Sequence, residues 1–572
     1  MSVEAIADRT RSNARLAALL AGGAFARLKP QRLLRFSPPF SEPDHLLLSP
    51  LPVALGDARR GAELYGGRFA FAGHSVETKG NPVFGIAPPS EEWAKALHCF
   101  GWLADLAAAD TALTRAFART SLDEWISTKR LGKAGRGPSI TARRLISWLT
   151  HAPFLLNGAD AGFRKNFFRS LVRHEQRLKR DLRSLSPGMP RLTAAVALTQ
   201  AGLCLPDATR ALRMGSDFLA SDLKALVLLD GGPATRNPDD LLAMTVDLLM
   251  LKENFARRSM EPPKGMMQLL DRMLPMLRFF RHADGNLALF NGAGPTDRLL
   301  LDSILTIDDT QGRPVMNAGY SGYQRIEAGR TVLVADTGRP PPLGLSETAH
   351  AGTLSFEMSV GAERLVVNCG APGPSHAPWR DAARKTAAHS TVTLDDRSSC
   401  RFVRGRLVTA LVGRLVREGP NEVDVKRDDG RGGTVLRAIH DGYAKPLGLV
   451  HERTFRVHAD GNRVEGMDVI RPVRQRTTAD TVLRFHLHPG VRAARLGRGN
   501  SVLLTLPSGD CWTFAVDQQE AHVEESVFFA GDSGPRRAEQ IVVRLGRKAG
   551  TRVAWSLTHT GNGAGPGAPA LF

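Results

Sequence analysis

Cysteine is scarce in this chain: five residues in 572, at positions 99, 204, 369, 400 and 511. The number is odd and no CxxC pair occurs, which argues against a disulfide framework or a cysteine-built zinc site and for buried free thiols. Tyrosine is scarcer still. Tyr65, Tyr320, Tyr323 and Tyr443 are the full set, so any phenol that moves a proton is one of these four. Acidic residues are in deficit: 57 Asp+Glu against 76 Lys+Arg give a net charge of +19. That sign suits an anionic partner, whether nucleic acid, anionic lipid or acidic polysaccharide, and is equally met by an arginine-rich composition with no steering role. No apolar run approaches the ~20 residues that span a membrane. P-loop, GxSxG and HExxH signatures are missing. The arginines are dispersed and no nucleic-acid module is legible, so nucleic acid is not an expected partner.

What is present divides the chain. Arg9, Arg11 and Arg15 precede the short apolar stretch Leu16–Phe25, which reads either as a weak signal peptide or as an ordinary amphipathic helix interrupted by Glu4 and Asp8. Residues 1–88 carry Pro and Gly at many positions and read as irregular, with short extended pieces near Phe69, Phe71 and Val76. From 89 to 295 the periodicity is helical. Ser90 caps one helix, with Glu91 and Glu92 in its first turn. Further helices are predicted over 141–151, 163–185, 192–205, 207–229, 238–258 and 263–281, separated by Gly and Pro turns, as in helical hairpins. The Gly/Asn/Asp-rich passage 284–314 marks a boundary. Strands dominate from 316 to 560, including a predicted strand over 408–416. Many short strands with polar turns fit an antiparallel β-sandwich. Residues 561–572 read as a disordered tail.

The richest stretch runs from Thr348 to Leu394. Leu354, Phe356, Met358 and Val360 alternate with Ser355, Glu357 and Ser359, which predicts a half-buried strand. Arg364–Gly370 is its expected hairpin partner, and His389 opens a third strand. His350, Asn368 and His389 thus fall at neighbouring strand ends. On the first long helix, His98 and Trp102 share a stripe with Asp105. That stripe is either a stacking platform for a sugar ring or ordinary core. His486 and His488, two apart on one strand, face one side.

The runs His350-Ala-Gly-Thr-Leu-Ser-Phe-Glu357, Leu365-Val-Val-Asn-Cys-Gly370 and Arg384-Lys-Thr-Ala-Ala-His-Ser-Thr391 resemble the C-terminal domain of bacterial heparinase II/III-like proteins. The resemblance implies an α+β multidomain fold, an α/α toroid (89–295) followed by the sandwich (316–560). It implies a carbon–oxygen lyase acting on an acidic, uronate-containing polysaccharide by β-elimination. A catalytically altered or non-catalytic polysaccharide-binding protein of the same fold, or a glycoside hydrolase, are the other readings. By resemblance the protein belongs to a bacterial cell envelope or periplasm; it is cytoplasmic if the Leu16–Phe25 stretch is not a signal.

Carried over by motif, His350, Asn368 and His389 would hold a structural zinc, with Asn standing where the family has an acid; a hydrogen-bonded polar cluster is the alternative. Tyr323 and His350 are the candidate proton-transfer residues. Arg236, Asn237, Arg380, Arg384, His98 and Trp102 are the candidate substrate contacts, since guanidinium forks suit carboxylates. Three positions depart from the lyase pattern. Thr348 replaces a histidine, Asp240 stands where a catalytic tyrosine is expected, and the toroid's Asn-His pair is missing around Pro187–Leu192. Asp240 also fits the first turn of a helix capped by Asn237 and opened by Pro238.

Overall fold

The computed structural model describes residue 17 and residues 43–562, apart from 129–131, 308–311, 474–476, 498, 532, 533 and 549. The arginine-flanked N-terminal apolar stretch, residue 17 aside, and most of the expected tail lie outside the described residues. The last strand, Thr551–Asn562, takes in the first two residues assigned to that tail.

The N-terminal half is an α/α toroid. A short helix, Ala58–Tyr65, and a hairpin of Arg68–Phe71 with His74–Glu77 precede it, so the stretch read as irregular carries regular structure. The toroid's helices are Glu91–Cys99, Leu103–Ala109, Ala112–Ser127, Pro138–Thr150, Ala152–Leu156, Ala161–Leu182, Met189–Cys204, Thr209–Leu226, Pro238–Arg257 and Met266–Phe280. Met189–Cys204 is apolar nearly all round and is buried from Leu192 onward, as a helix enclosed by others must be. Ala112–Ser127 went unpredicted because its buried stripe, Thr114, Ala118, Ser121, Leu122 and Trp125, carries only two large apolar residues; a reciprocal Thr111–Thr114 capping box starts it. The helix Arg298–Ile307 lies in the Gly/Asn/Asp-rich passage.

Two large antiparallel sheets follow among the described residues. One has eight strands in the order Val423–Gly430, Gly433–His440, Leu449–His458, Arg463–Pro472, Thr551–Asn562, Asp510–Val516, Ser501–Thr505 and Arg492–Leu496. The other runs Ala521–Phe528, Arg536–Lys548, Ala479–Leu487, Glu363–Val367, Phe356–Val360, Thr331–Asp336, Tyr323–Ala328 and Asn317–Ala318, with Val392–Leu394 also paired to Ala479–Leu487. Their inner faces share one core. Phe356 stacks on Trp555 at 5.6 Å between centroids, with Phe455, Phe485 and Phe514 around them.

Two local expectations fail for identifiable reasons. Residues 406–412 form a helix bracketed by Gly405 and Gly413, not a strand. The strand pieces on either side, Arg401–Phe402 and Val416–Glu418, pair with each other; without a ladder partner, a helix satisfies the backbone internally whatever the β-propensity of Val408 and Val412. The strand Phe356–Val360 is not half-buried: all five residues are buried. Its polar side is covered by the end of the toroid. Glu357 accepts from Leu289 N (3.1 Å) and Asn368 N (2.8 Å), and His282 Nδ1 lies 2.9 Å from Ser359 Oγ. Arg325 from the sandwich donates to Phe279 O and Arg281 O at the C-terminus of the helix Met266–Phe280, where a cation is favoured.

Candidate functional site

The toroid and the sandwich meet around the loop 230–237, the loop 286–294 and the strand ends near 323, 336, 350 and 389. Arg236 is the pin. Its φ of +60° is unusual for a residue with a side chain. Its guanidinium donates to Ser321 O (2.7 Å), Gly322 O (3.0 Å), Arg339 O (2.9 Å) and the Asp336 carboxylate (2.6 Å), all in the sandwich. It also lies 4.4 Å over the Tyr323 ring. Only glycine fits at 338, where a Cβ would fall 2.4 Å from the guanidinium.

Tyr323 sits beneath this pin, fully buried. Its hydroxyl donates to Arg236 O (2.7 Å) and accepts from Asn291 Nδ2 (2.7 Å). Burial pushes the phenol above its ordinary range, so it does not ionise near neutrality. The Asn291 side-chain oxygen accepts from His350 N (3.2 Å). His389 Nδ1 faces Lys385 O at 2.8 Å and must carry its proton there; His389 Nε2 then accepts from His350 Nδ1 at 3.1 Å. Burial holds His350 well below its usual range and pulls His389 down to about 4, so both are neutral. Arg384 is 2% exposed, donates to Ala349 O and Ser346 O, and stacks over Phe402. Arg236, Tyr323, His350 and Arg384 therefore gather at one junction, but as a buried clasp with its donors spent on protein acceptors.

The remaining candidates separate. Asn237 caps the helix Pro238–Arg257, accepting from Asp239 N at 3.0 Å. Arg380 opens the short helix Arg380–Ala383 and is half-buried. The His98–Trp102 platform does not form. The helix ends at Cys99 and Phe100 turns left-handed (φ +60°), so the i, i+4 spacing is lost. Trp102 turns inward, donates to Leu97 O and stacks on Phe100, while His98 Nδ1 receives Trp125 Nε1 at 3.1 Å. His486 bonds Ser526 Oγ and Ala387 O, within 3.4 Å of the Cys369 thiol.

The residues do not fit a structural zinc. The facing nitrogens of His350 and His389 are spent on each other. The Asn368 oxygen already accepts from Ser390 N (3.0 Å), and its Nδ2 is a buried donor without a partner. No anionic ligand completes the set, and among the described residues no three His, Cys, Asp or Glu side chains gather as a metal site.

Sequence reasoning passed over Asp239. Its carboxylate accepts from Gly294 N (2.9 Å), and burial, with the neighbouring Asp240 charge, pushes it up to about 7. Burial pushes Asp240 up to about 6. Gly292 lies between Thr348 and Asn237: a Cβ there would fall 2.8 Å from Thr348 Cβ and 3.4 Å from Asn237 Nδ2. Asp240, which the resemblance puts at the tyrosine position, thus sits beside Asp239 in the first turn of a capped helix, and Thr348 stands at the position of the histidine. The signal was legible in Asp239-Asp240 itself, two acids in one helical turn at a domain junction.

An α/α toroid closed against a two-sheet antiparallel sandwich is the architecture of heparinase-type proteins. The chain belongs to the heparinase II/III-like family: residues 310–556 match the family described as "Heparinase II/III-like, C-terminal". Among curated proteins it is 32% identical over 531 residues, 89% of each chain, to "FtsZ-localized protein C" of Caulobacter vibrioides (strain NA1000 / CB15N). Among solved structures it is similar to heparinase III (TM-score 0.72, 13% identity, 98% of this chain and 92% of that one). It is also similar to a mutant heparan sulfate lyase from Pedobacter heparinus (TM-score 0.59, 16% identity, 97% and 90%). At these identities the solved structures establish the fold.

Proposed function

We propose that the protein keeps the heparinase fold without lyase chemistry and works by binding, as a component of an FtsZ-containing assembly. The observation that carries the first part is the state of the junction. β-Elimination from a uronate needs a donor for the carboxylate, a base for the C5 proton and an acid for the leaving oxygen. Here the arginines are pinned to carbonyls, Tyr323 is doubly bonded and buried, Thr348 has no basic nitrogen, and Asp239 and Asp240 offer no cation to a substrate carboxylate. The second part rests on the relative named for localisation with FtsZ, which aligns with nine-tenths of this chain. Sedimentation of FtsZ polymers with the purified protein tests it. Saturable co-pelleting is expected; recovery of the protein in the supernatant at every FtsZ concentration contradicts it.

A second reading, an acidic-polysaccharide lyase, draws on the +19 net charge and on the fold. It requires the junction to open, with Tyr323 leaving Arg236 O.

A further inference from the structure

Within the toroid, the helices Ala112–Ser127, Pro138–Thr150 and Ala161–Leu182 line an open pocket of about 160 Å³ bordered by Trp125, Arg144, Ser170, Arg173, His174 and Arg177. Arg144 is 1% exposed. Its partners are neutral: His174 Nε2 (2.8 Å), His98 O (2.8 Å) and Gly135 O (3.3–3.4 Å). No carboxylate pairs with it among the described residues. The other polar contacts do not supply the missing charge. His174 Nδ1 faces Ser170 O at 2.6 Å and burial pulls this imidazole down to about 3, so it is neutral. Arg144 lies 4.1 Å over the Trp125 ring. Arg177, half-buried, reaches Asp181 at 3.4 Å and the carbonyl of Arg136, and Arg173 is exposed at the rim. Three guanidinium groups therefore converge on one pocket with a single carboxylate at its edge. Buried charges are ordinarily paired, because the ionised form loses its hydration without compensation. Burial, helped by Arg177, already pulls Arg144 down to about 9.

We propose that this pocket binds a compact oxyanion, a phosphate or a carboxylate carried by a small molecule. The oxyanion would accept from the one Nη2–H of Arg144 left unfilled by His174, His98 O and Gly135 O while Arg173 and Arg177 close over it. Arg173, His174 and Arg177 lie within just over one turn of one helix, so the rim and the floor of the site are fixed by the same element.

Calorimetric titration of the full chain with inorganic phosphate and, separately, with glucuronate tests the site. One saturable event per chain is expected with one or both anions, and which of them binds assigns the oxyanion. The rim double variant Arg173→Gln/Arg177→Gln should weaken it at least tenfold, and Arg144→Lys should do the same by removing the free Nη2–H while keeping the charge. Asp239→Asn, at the junction, should bind unchanged, which separates this site from the reading of the junction. Absence of saturable binding of either anion, or wild-type affinity in the rim variant, would overturn the proposal.

Discussion

Arg236 does the work at the junction that a substrate arginine would do in an open cleft. Truncating it leaves Asp336 charged and buried, so Arg236→Ala should cost roughly 3–5 kcal/mol, and Tyr323→Phe, which strands one carbonyl and one amide, about 1–3 kcal/mol. Urea unfolding of the two variants measures both. Asp239 makes the opposite prediction. Its folded-state value, about 7, lies above the ~3.9 of an unfolded aspartate. The folded protein therefore holds that proton through the interval between, and stability drains away as pH rises across it. Asp239→Asn keeps an acceptor for Gly294 N and removes the ionisation. It should raise the melting temperature at pH 8 and leave it nearly unchanged at pH 4, where both forms are neutral; equal shifts at the two pH values would refute the assignment. Sequence pattern reached Arg236, Tyr323, His350 and Arg384 as neighbours through motif resemblance. It did not reveal that they are buried, because a motif gives the position of an arginine and not the carbonyls that surround it.

At the scale of elements, the toroid helices from 138 to 280, the short Ala152–Leu156 aside, were legible because each has an apolar stripe or, in Met189–Cys204, a continuous apolar run, set off by Pro, Gly or Asn. Ala112–Ser127 was not, since its buried stripe is largely small or polar, and 406–412 departs from the expected strand because its β-branched residues suggest one that finds no partner. That helix has no buried residue, and Leu407 is 88% exposed. Leu407→Asp should therefore change unfolding free energy by no more than about 0.5 kcal/mol, and a larger loss would mean that the helix packs against something. The strand Phe356–Val360 teaches the converse. Alternation correctly predicted its inner face, whereas burial of Glu357 and Ser359 depends on His282 and Leu289, some seventy residues upstream, which no local window can see.

Across the whole molecule, buried histidines dominate the acid response. Burial pulls His98, His151, His174, His350, His389, His440, His451, His486 and His488 below the ordinary imidazole range. The unfolded chain binds protons at these sites from about pH 6.5 downward, while the folded chain does so only at lower pH, about 4 at His98, His151, His389 and His488. Stability contributed by their burial is whole above pH 6.5 and is lost as pH falls toward 4. Acid unfolding should take up several protons per molecule, read from the pH slope of the urea midpoint; a slope near zero between pH 6.5 and 4.5 would contradict this. At the junction, Arg236, Asn291 and Glu357 tie the toroid to the sandwich through buried hydrogen bonds.

The most direct measurement is ultraviolet absorbance of the unsaturated product when purified protein is incubated with a panel of uronate polymers, heparan sulfate included. A closed junction carrying Thr348 and the Asp239–Asp240 pair predicts no rise above the protein-free control, whereas steady accumulation of product, abolished by Tyr323→Phe, would contradict the account.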